Sequence, residues 1–367
     1  MNAPTPESHE RHEPLVDLII AVHTAERAIE RAVGSVLRGT AAPVRVTVVC
    51  HGVDPALIEA RLGPLADDPR VRLLPFTDGI PSPAGPFNFG LDSATARFTA
   101  VLGSDDELEA GAIDSWLSLQ QRDDAQLVVP RVRRAAGGSL RTPPTRPFRS
   151  RRLDGTKDRL AYRTAQLGLV DRVRFADARF ASGLKSGEDI AYGLRLWFSG
   201  ARIALDRHGP AYLIHADASD RASMAIRDLT DDFEFLGEAI DATWIATLQS
   251  ADRQAITMKL LRTHLIDAIR TRFVVGRAPS RPEREVLARV VRRVLTVAPE
   301  VVGIVSMLDR RLIEAAIDPG SDASLIVNLL QRRSLLLRPA NLLSAKLGYA
   351  MHREAPLRFY AAVFVSP

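Results

Sequence analysis

Two largely apolar runs, at 16–22 and 44–50, constrain this chain most, because strands apolar on both faces belong inside a sheet covered by helices on both sides. Between them Ala28, Ala32, Val33, Val36 and Leu37 recur at helical spacing. The alternation then repeats, with a helix over 55–65, a strand at 71–74, a helix near 87–95 and a strand at 98–102. This order predicts an α/β fold with a mainly parallel sheet covered by helices. Right-handed crossovers place the first two strands side by side, so the loops that follow them open on one edge. Further strands are expected at 127–130, 203–205 and 211–214, and Ile190, Leu194 and Trp197 mark an amphipathic helix starting near Gly187. After Ser223 the spacing is helical, interrupted at Pro279, Pro299, Pro319 and Pro339. The expected organisation is a disordered polar tail at 1–13, an α/β domain at 14–222 and an all-α C-terminal region at 223–367.

Composition limits the functional classes. Hydrophobic residues at 46% and charged residues at 25% are ordinary for a chain that buries a substantial core. The net charge of +5 is too mild to indicate nucleic acid, and the Arg-rich stretch at 131–152 has no aromatic platform beside it. That stretch, with Arg131, Arg133, Arg134, Arg141, Arg146, Arg149, Arg151 and Arg152, reads as a long exposed loop suited to phosphate or another anion. One cysteine, Cys50, leaves no internal disulfide framework and fits a reducing compartment. The start has no apolar core of a signal peptide, and no apolar segment has the length to cross a bilayer. A cytoplasmic protein is expected, with peripheral contact at the inner face of a membrane left open. In the tail, Leu260, Leu261, Leu265, Ile266 and Ile269 form one stripe and Leu325, Ile326, Leu329 and Leu330 another, expected to serve helix packing or homo-oligomerisation.

The chemistry concentrates at Val101-Leu-Gly-Ser-Asp-Asp-Glu107, an apolar run ending in adjacent carboxylates. Asp105 and Asp106 then emerge at the carboxyl end of a buried strand, the edge where open α/β sheets place ligands. Paired hard oxygens suit Mg²⁺ or Mn²⁺, and such an ion can neutralise a diphosphate leaving group. The same residues also suit the cap of a helix beginning near Glu109, and both readings stay open here.

Four elements follow in chain order: Ala21-Val-His23 after the first strand, the acidic pair, Gly187-Glu-Asp189 at a helix start, and His215 after a late strand. The series resembles family 2 glycosyltransferases of the GT-A (Rossmann-like) fold. Val16-Asp-Leu-Ile-Ile-Ala-Val-His-Thr24 and Ala32-Val-Gly-Ser-Val-Leu37 resemble the family's opening, Phe87-Asn-Phe-Gly90 and Leu102-Gly-Ser-Asp-Asp-Glu107 its middle, and Ser186 to Trp197 its acceptor-side helix. The resemblance covers roughly 14–220. It implies sugar transfer from a nucleotide-diphospho-sugar to an acceptor hydroxyl on a glycan, glycolipid or phosphate-bearing molecule, such as an anionic cell-envelope glycan. Metal dependence and inversion are also implied. By position Asp106 is then the metal ligand with His215 as a further contact, Asp105 meets the donor ribose or sugar, and Asp189 is the general base with Glu188 in reserve. Ala21, Val22, His23 and His51 fall to the nucleotide, with Asp78 and Asn88 as lesser polar contacts.

The chain also departs from the family pattern. After the second strand it has Cys50-His-Gly-Val-Asp54 instead of the common Asp-Gly-Ser run, so Asp54 either replaces the base contact or only caps the helix at Pro55. Gly103 stands where Asp is frequent, and Phe87 occupies an Arg position. The Gln-x-x-Arg-Trp motif of processive synthases is missing after Arg195, which favours single additions. A sugar-nucleotide nucleotidyltransferase fits less well, since no Gly-rich basic loop follows the first strand. A noncatalytic carbohydrate-binding or scaffold protein would need neither Asp106 nor Asp189.

Overall fold

The computed structural model describes residues 13–140, 142–217, 227–240, 243–276, 278–335 and 337–365. The tail expected at 1–13 therefore lies almost wholly outside the described residues, as does Arg141. The chain opens with β1 (Val16–Val22), α1 (Ile29–Gly39), β2 (Val44–His51), α2 (Pro55–Leu62), β3 (Val71–Phe76), α3 (Ala84–Asp92) and β4 (Phe98–Gly103). There follow β5 (Glu107–Leu108), α4 (Ala112–Asp123), β6 (Leu127–Val129), β7 (Val132–Arg134), β8 (Val170–Asp171), α5 (Glu188–Trp197), β9 (Ile203–Leu205) and β10 (Tyr212–Ile214).

Seven strands form the central sheet in the order β3-β2-β1-β4-β8-β6-β9. β1, β2, β3 and β4 are parallel, as are β6 and β9, while β8 runs antiparallel to both its neighbours. Residues alternate between the faces of a strand, and the packing follows that period. Leu18, Ile20 and Val22 join the α1 face, with Ile29, Val33 and Val36, whereas Ile19 packs on the opposite face with Leu196 and Trp197 of α5. Asp17 interrupts the apolar run and is fully buried. Its carboxylate accepts from Arg45 Nε at 2.6 Å and from the amides of Thr95 and Ala96 at 2.7 and 2.8 Å, tying the start of β1 to the turn before β4.

A second sheet, β5-β10-β7, lies beyond the end of β4. Tyr212 pairs with Leu108 on one side and Val132 on the other, so this sheet holds the acidic motif against the strand that leads to His215. It corrects the expectation of an exposed loop over 131–152: Val132, Pro143, Pro144 and Thr145 are buried, and Arg146 forms a bidentate pair with buried Asp158 at 2.8 and 2.7 Å. A three-residue strand is too short to show a period, and its partner lies 80 residues on. The expected helix over 55–65 also divides, its last turn becoming the 3₁₀ segment Gly63–Leu65.

From residue 229 the described chain is helical. The helix Ser250–Lys259 runs into a π-helical stretch, Leu260–Leu265, and continues as Ile266–Arg270. Further on, Arg281–Val297 starts at a capping box made by Ser280 and Glu283. Leu260, Leu261, Leu265, Ile266 and Ile269 are all buried; in the second stripe Ile326, Leu329 and Leu330 are buried and Leu325 is exposed. The same apolar cluster takes in Leu184, Ile190 and Leu194, so the helical region and α5 share one core. Among the described residues no helix is long and apolar enough to cross a membrane.

Candidate active site

The carboxyl ends of β1, β2 and β4 surround a cavity of about 760 Å³, walled by Ala21, Val22, His23, Arg27, His51, Phe87, Ser104 and Asp105 among others. That volume lies in the range of sites for organic ligands. Strand ends supply these residues because right-handed crossovers bring every β–α loop to one edge. His51 ends β2, and its Nε2 lies 2.7 Å from Asp78 Oδ1, which also accepts from the Ile80 amide at 2.9 Å. Burial alone would raise the Asp78 carboxyl, but the Ile80 amide and the His51 ring hold it below its ordinary value. Asp78 thus orients His51.

Two expected donor contacts are engaged elsewhere. Asp54 Oδ1 accepts from the Ala56 amide at 2.9 Å and caps α2, whose second residue is held by its Pro55 start. Asn88 clamps the chain at Phe180, donating to its carbonyl and accepting from its amide, both at 2.9 Å. Neither side chain lines the cavity. A linear sequence shows the turn chemistry of such residues but not the distant backbone that takes up their hydrogen bonds.

At the end of β4 the two aspartates face different partners. Asp105 lines the cavity and pairs with Arg27 at 3.1 Å, while Arg31 donates to the Asp105 carbonyl and pairs with Asp217 at 2.7 Å. Asp106 accepts from the buried Tyr212 hydroxyl at 2.7 Å and from the His215 backbone amide at 3.0 Å. Tyr212 in turn accepts from the Gly103 amide at 2.9 Å. A Cβ on residue 103 would come within 2.7 Å of Asp106 Oδ2, which explains glycine at a position where the resemblance leads one to expect Asp. The capping alternative fails, since α4 starts later, at Ala112, and no side chain caps it.

The His215 ring turns to Glu107, with Nε2 and Oε2 2.9 Å apart, so backbone and not ring joins His215 to Asp106. Among the described residues no three His, Cys, Asp or Glu side chains are grouped to hold a metal ion. A carboxylate offers about four lone-pair sites, so the bonds from Tyr212 and His215 do not by themselves exclude a metal ion at Asp106.

Across the fold, α5 starts at Gly187, whose φ of +77° favours glycine and where a Cβ would lie 3.0 Å from the Phe235 ring. No side chain caps this helix, which leaves the Glu188 and Asp189 carboxylates for other work. Burial raises the Asp189 carboxyl, with Lys259 of the helical region pulling it back down. A helix start favours the ionised form, but desolvation outweighs it here. Burial, with the Asp189 charge beside it, pushes Glu188 up to about 7. Lys259 is only 1% exposed, and burial pushes it down to about 8 against the pull of Asp189. A stack of rings joins α5 to the cavity: Phe87 on its wall lies 5.2 Å from Phe180, which lies 4.3 Å from Tyr192.

Arg27, Arg31, Glu107, Tyr212 and Lys259 are the residues that sequence reading passed over. Arg27 and Arg31 sit four apart where α1 follows the β1 loop, and Lys259 interrupts an apolar run before Leu260 and Leu261, so two signals were present. Tyr212 and Glu107 gain meaning only from the second sheet.

A helix-covered sheet with a cleft at its carboxyl edge and an all-α region behind it defines a GT-A-like protein. Residues 17–184 match the sequence pattern described as glycosyl transferase family 2. The succinoglycan biosynthesis protein ExoO of Rhizobium meliloti strain 1021 is 33% identical over 119 residues, which are 32% of this chain and 32% of ExoO. The match thus spans about a third of that relative's length. Residues 1–349 of S. aureus TarS, crystallised with UDP-GlcNAc, superpose with a TM-score of 0.66 at 16% identity, covering 87% of this chain and 91% of that one. A longer TarS structure gives 0.62 at 16% identity, covering 86% of this chain and 55% of that one. These likenesses establish the fold.

Proposed function

We propose that this protein moves a sugar from a nucleotide-diphospho-sugar to an acceptor hydroxyl, one residue at a time and with inversion. The observation that carries the reading is the cavity at the ends of β1, β2 and β4, with Arg27 and Asp105 on its wall and α5 joined to it through Phe87, Phe180 and Tyr192. The match of residues 17–184 to the family 2 glycosyltransferase pattern, the ExoO relative and a TarS fold crystallised with UDP-GlcNAc support it. The chain divides by this reading into a donor-binding domain at 14–222 and a helical region from 223 that backs the acceptor side.

His51, oriented by Asp78, and the backbone at 21–23 receive the nucleotide, and the Arg27 and Arg31 guanidinium groups supply positive charge beside its phosphates. Asp106 fits a divalent ion that also takes phosphate oxygens, because Mg²⁺ and Mn²⁺ need only one or two protein carboxylates there. His215 fits as a second ligand once its ring leaves Glu107. When bound, the ion supplies charge that stabilises the departing diphosphate. Asp189 takes the proton of the acceptor hydroxyl; burial raises its carboxyl, which makes the carboxylate a stronger base than an exposed one. Arg133 and Arg146 are engaged by Glu109 and Asp158, so an anionic acceptor would meet the exposed Arg134, Arg149, Arg151 and Arg152.

The test is a panel of nucleotide sugars measured for Mn²⁺-dependent binding, followed by acceptor screening with the best donor. One donor bound in a metal-dependent way and turned over with a glycan, glycolipid or phosphate-bearing acceptor is the expected result. If no nucleotide sugar in the panel binds, the reading is wrong.

A further inference from the structure

Residues 332–365 contain six arginines and lysines and a single acid, Glu354. Glu354 is 1% exposed and takes no part in the surface: it bridges Arg262 at 2.9 Å and Arg159 at 3.3 Å, and accepts from the Tyr162 hydroxyl at 3.0 Å. Arg262 also stacks on Phe359, with 4.5 Å from guanidinium carbon to ring centroid. These contacts fasten the segment from beneath. Arg332, Arg338, Lys346 and Arg358 remain exposed above them.

Large apolar side chains of the same segment are exposed as well. Leu337 is 84% exposed, Met351 79%, Leu347 70%, Phe364 62% and Leu357 56%. Half of the sixteen large hydrophobic residues exposed among the described residues fall between 335 and 365. Isolated exposed leucines are normal on any protein, but such a concentration marks an interaction surface. The segment is also continuous: Arg358 donates to the Met351 carbonyl at 2.6 Å, and the amide of half-exposed Met307 donates to the Leu343 carbonyl at 3.0 Å.

We propose that the described residues of 332–335 and 337–365 form a basic and apolar docking surface for the anionic headgroups of a lipid bilayer. Exposed cations interleaved with exposed Leu, Met and Phe are what an interfacial segment needs, with the apolar groups entering the headgroup boundary and the cations meeting anionic lipid. A second copy of the chain is a poorer occupant. A two-fold interface sets a patch against itself, and this one has no exposed acid to meet its own cations. The proposal is independent of the sugar-transfer reading.

The full chain is tested by co-sedimentation with vesicles of phosphatidylcholine alone and of phosphatidylcholine with roughly a third phosphatidylglycerol. Binding confined to the anionic vesicles and weakened by added salt is expected. Arg338→Ala with Lys346→Ala should weaken it about thirtyfold, the effect of removing two cations next to an anionic leaflet. Leu347→Glu with Met351→Glu should abolish it; both positions are exposed, and unchanged circular dichroism and nucleotide-sugar binding would show that fold and donor site persist. Equal binding to both vesicle types, binding to neither, or a concentration-dependent dimer that the Leu347→Glu, Met351→Glu variant dissociates would each overturn the proposal.

Discussion

The two acidic motifs of this protein occupy opposite electrostatic settings. Asp105, on the cavity wall, and Asp106, next to it in the chain, sit among cations and hydrogen-bond donors, with Arg27 3.1 Å from Asp105 and the Tyr212 hydroxyl and His215 amide 2.7 and 3.0 Å from Asp106. Glu188 and Asp189 sit at the start of a helix that shares a core with the C-terminal region, where burial raises both, opposed by Arg227 at Glu188 and by Lys259 at Asp189. Neighbouring cations and donors hold a carboxylate in place, which suits ligand and metal binding. Desolvation makes it basic, which suits proton removal. In the proposed function, identical chemistry in the two motifs serves two tasks set by its surroundings.

The largest expected effect probes the basic side of that contrast. Asp189→Asn should lower turnover by about 10² to 10⁴, the usual contribution of a positioned base, as measured by release of nucleoside diphosphate with acceptor present. Tyr212→Phe probes the other side: it removes one donor to Asp106 and should weaken Mn²⁺-dependent donor binding by about 10- to 100-fold, as losses around a metal ligand commonly do. Lys259→Met sharpens the comparison, because it removes the charge that lowers Asp189. The carboxyl then rises further, the acidic limb of kcat/KM moves to higher pH, and a shift of about one unit costs about tenfold on that limb. Donor binding should be unchanged, and an unmoved pH profile would show that Lys259 does not act on the base.

The smallest effect is on stability. A carboxyl raised from 4.5 to about 7, as in Glu188, binds its proton more tightly in the folded state, so it lowers stability as pH climbs through that window. Asp17 has the opposite sign: its folded value is lowered, so its contribution is full above about 3.8 and disappears on acidification below that. Unfolding midpoints between pH 4 and pH 8 should therefore flatten in Glu188→Gln. A wild-type slope in that variant would remove Glu188 from the account.

The parallel half of the sheet was readable in the residues themselves. β1, β2 and β4 are long enough, and buried enough on both faces, for composition alone to reveal them, and their ends then locate Ala21, Val22, His23, His51 and Asp105. What escaped depends on pairings made late in the chain. The second sheet has strands of two or three residues, too short for a period, yet it sets Tyr212 on Asp106 and turns the His215 ring to Glu107. The engagement of Arg146 by Asp158 converted part of an apparent anion-binding loop into structure. The setting of Asp189 was hidden for a different reason: its desolvation comes from helices beyond residue 229, whose sequence period shows an apolar face but not what that face covers.

The division of labour is tested most directly by calorimetry of donor binding, with and without Mn²⁺, to Asp106→Asn and Asp189→Asn side by side. Metal-dependent binding should vanish in Asp106→Asn and persist at wild-type affinity in Asp189→Asn. If Asp106→Asn keeps its metal-dependent binding, or Asp189→Asn loses it, the two carboxylate centres do not have the roles assigned to them.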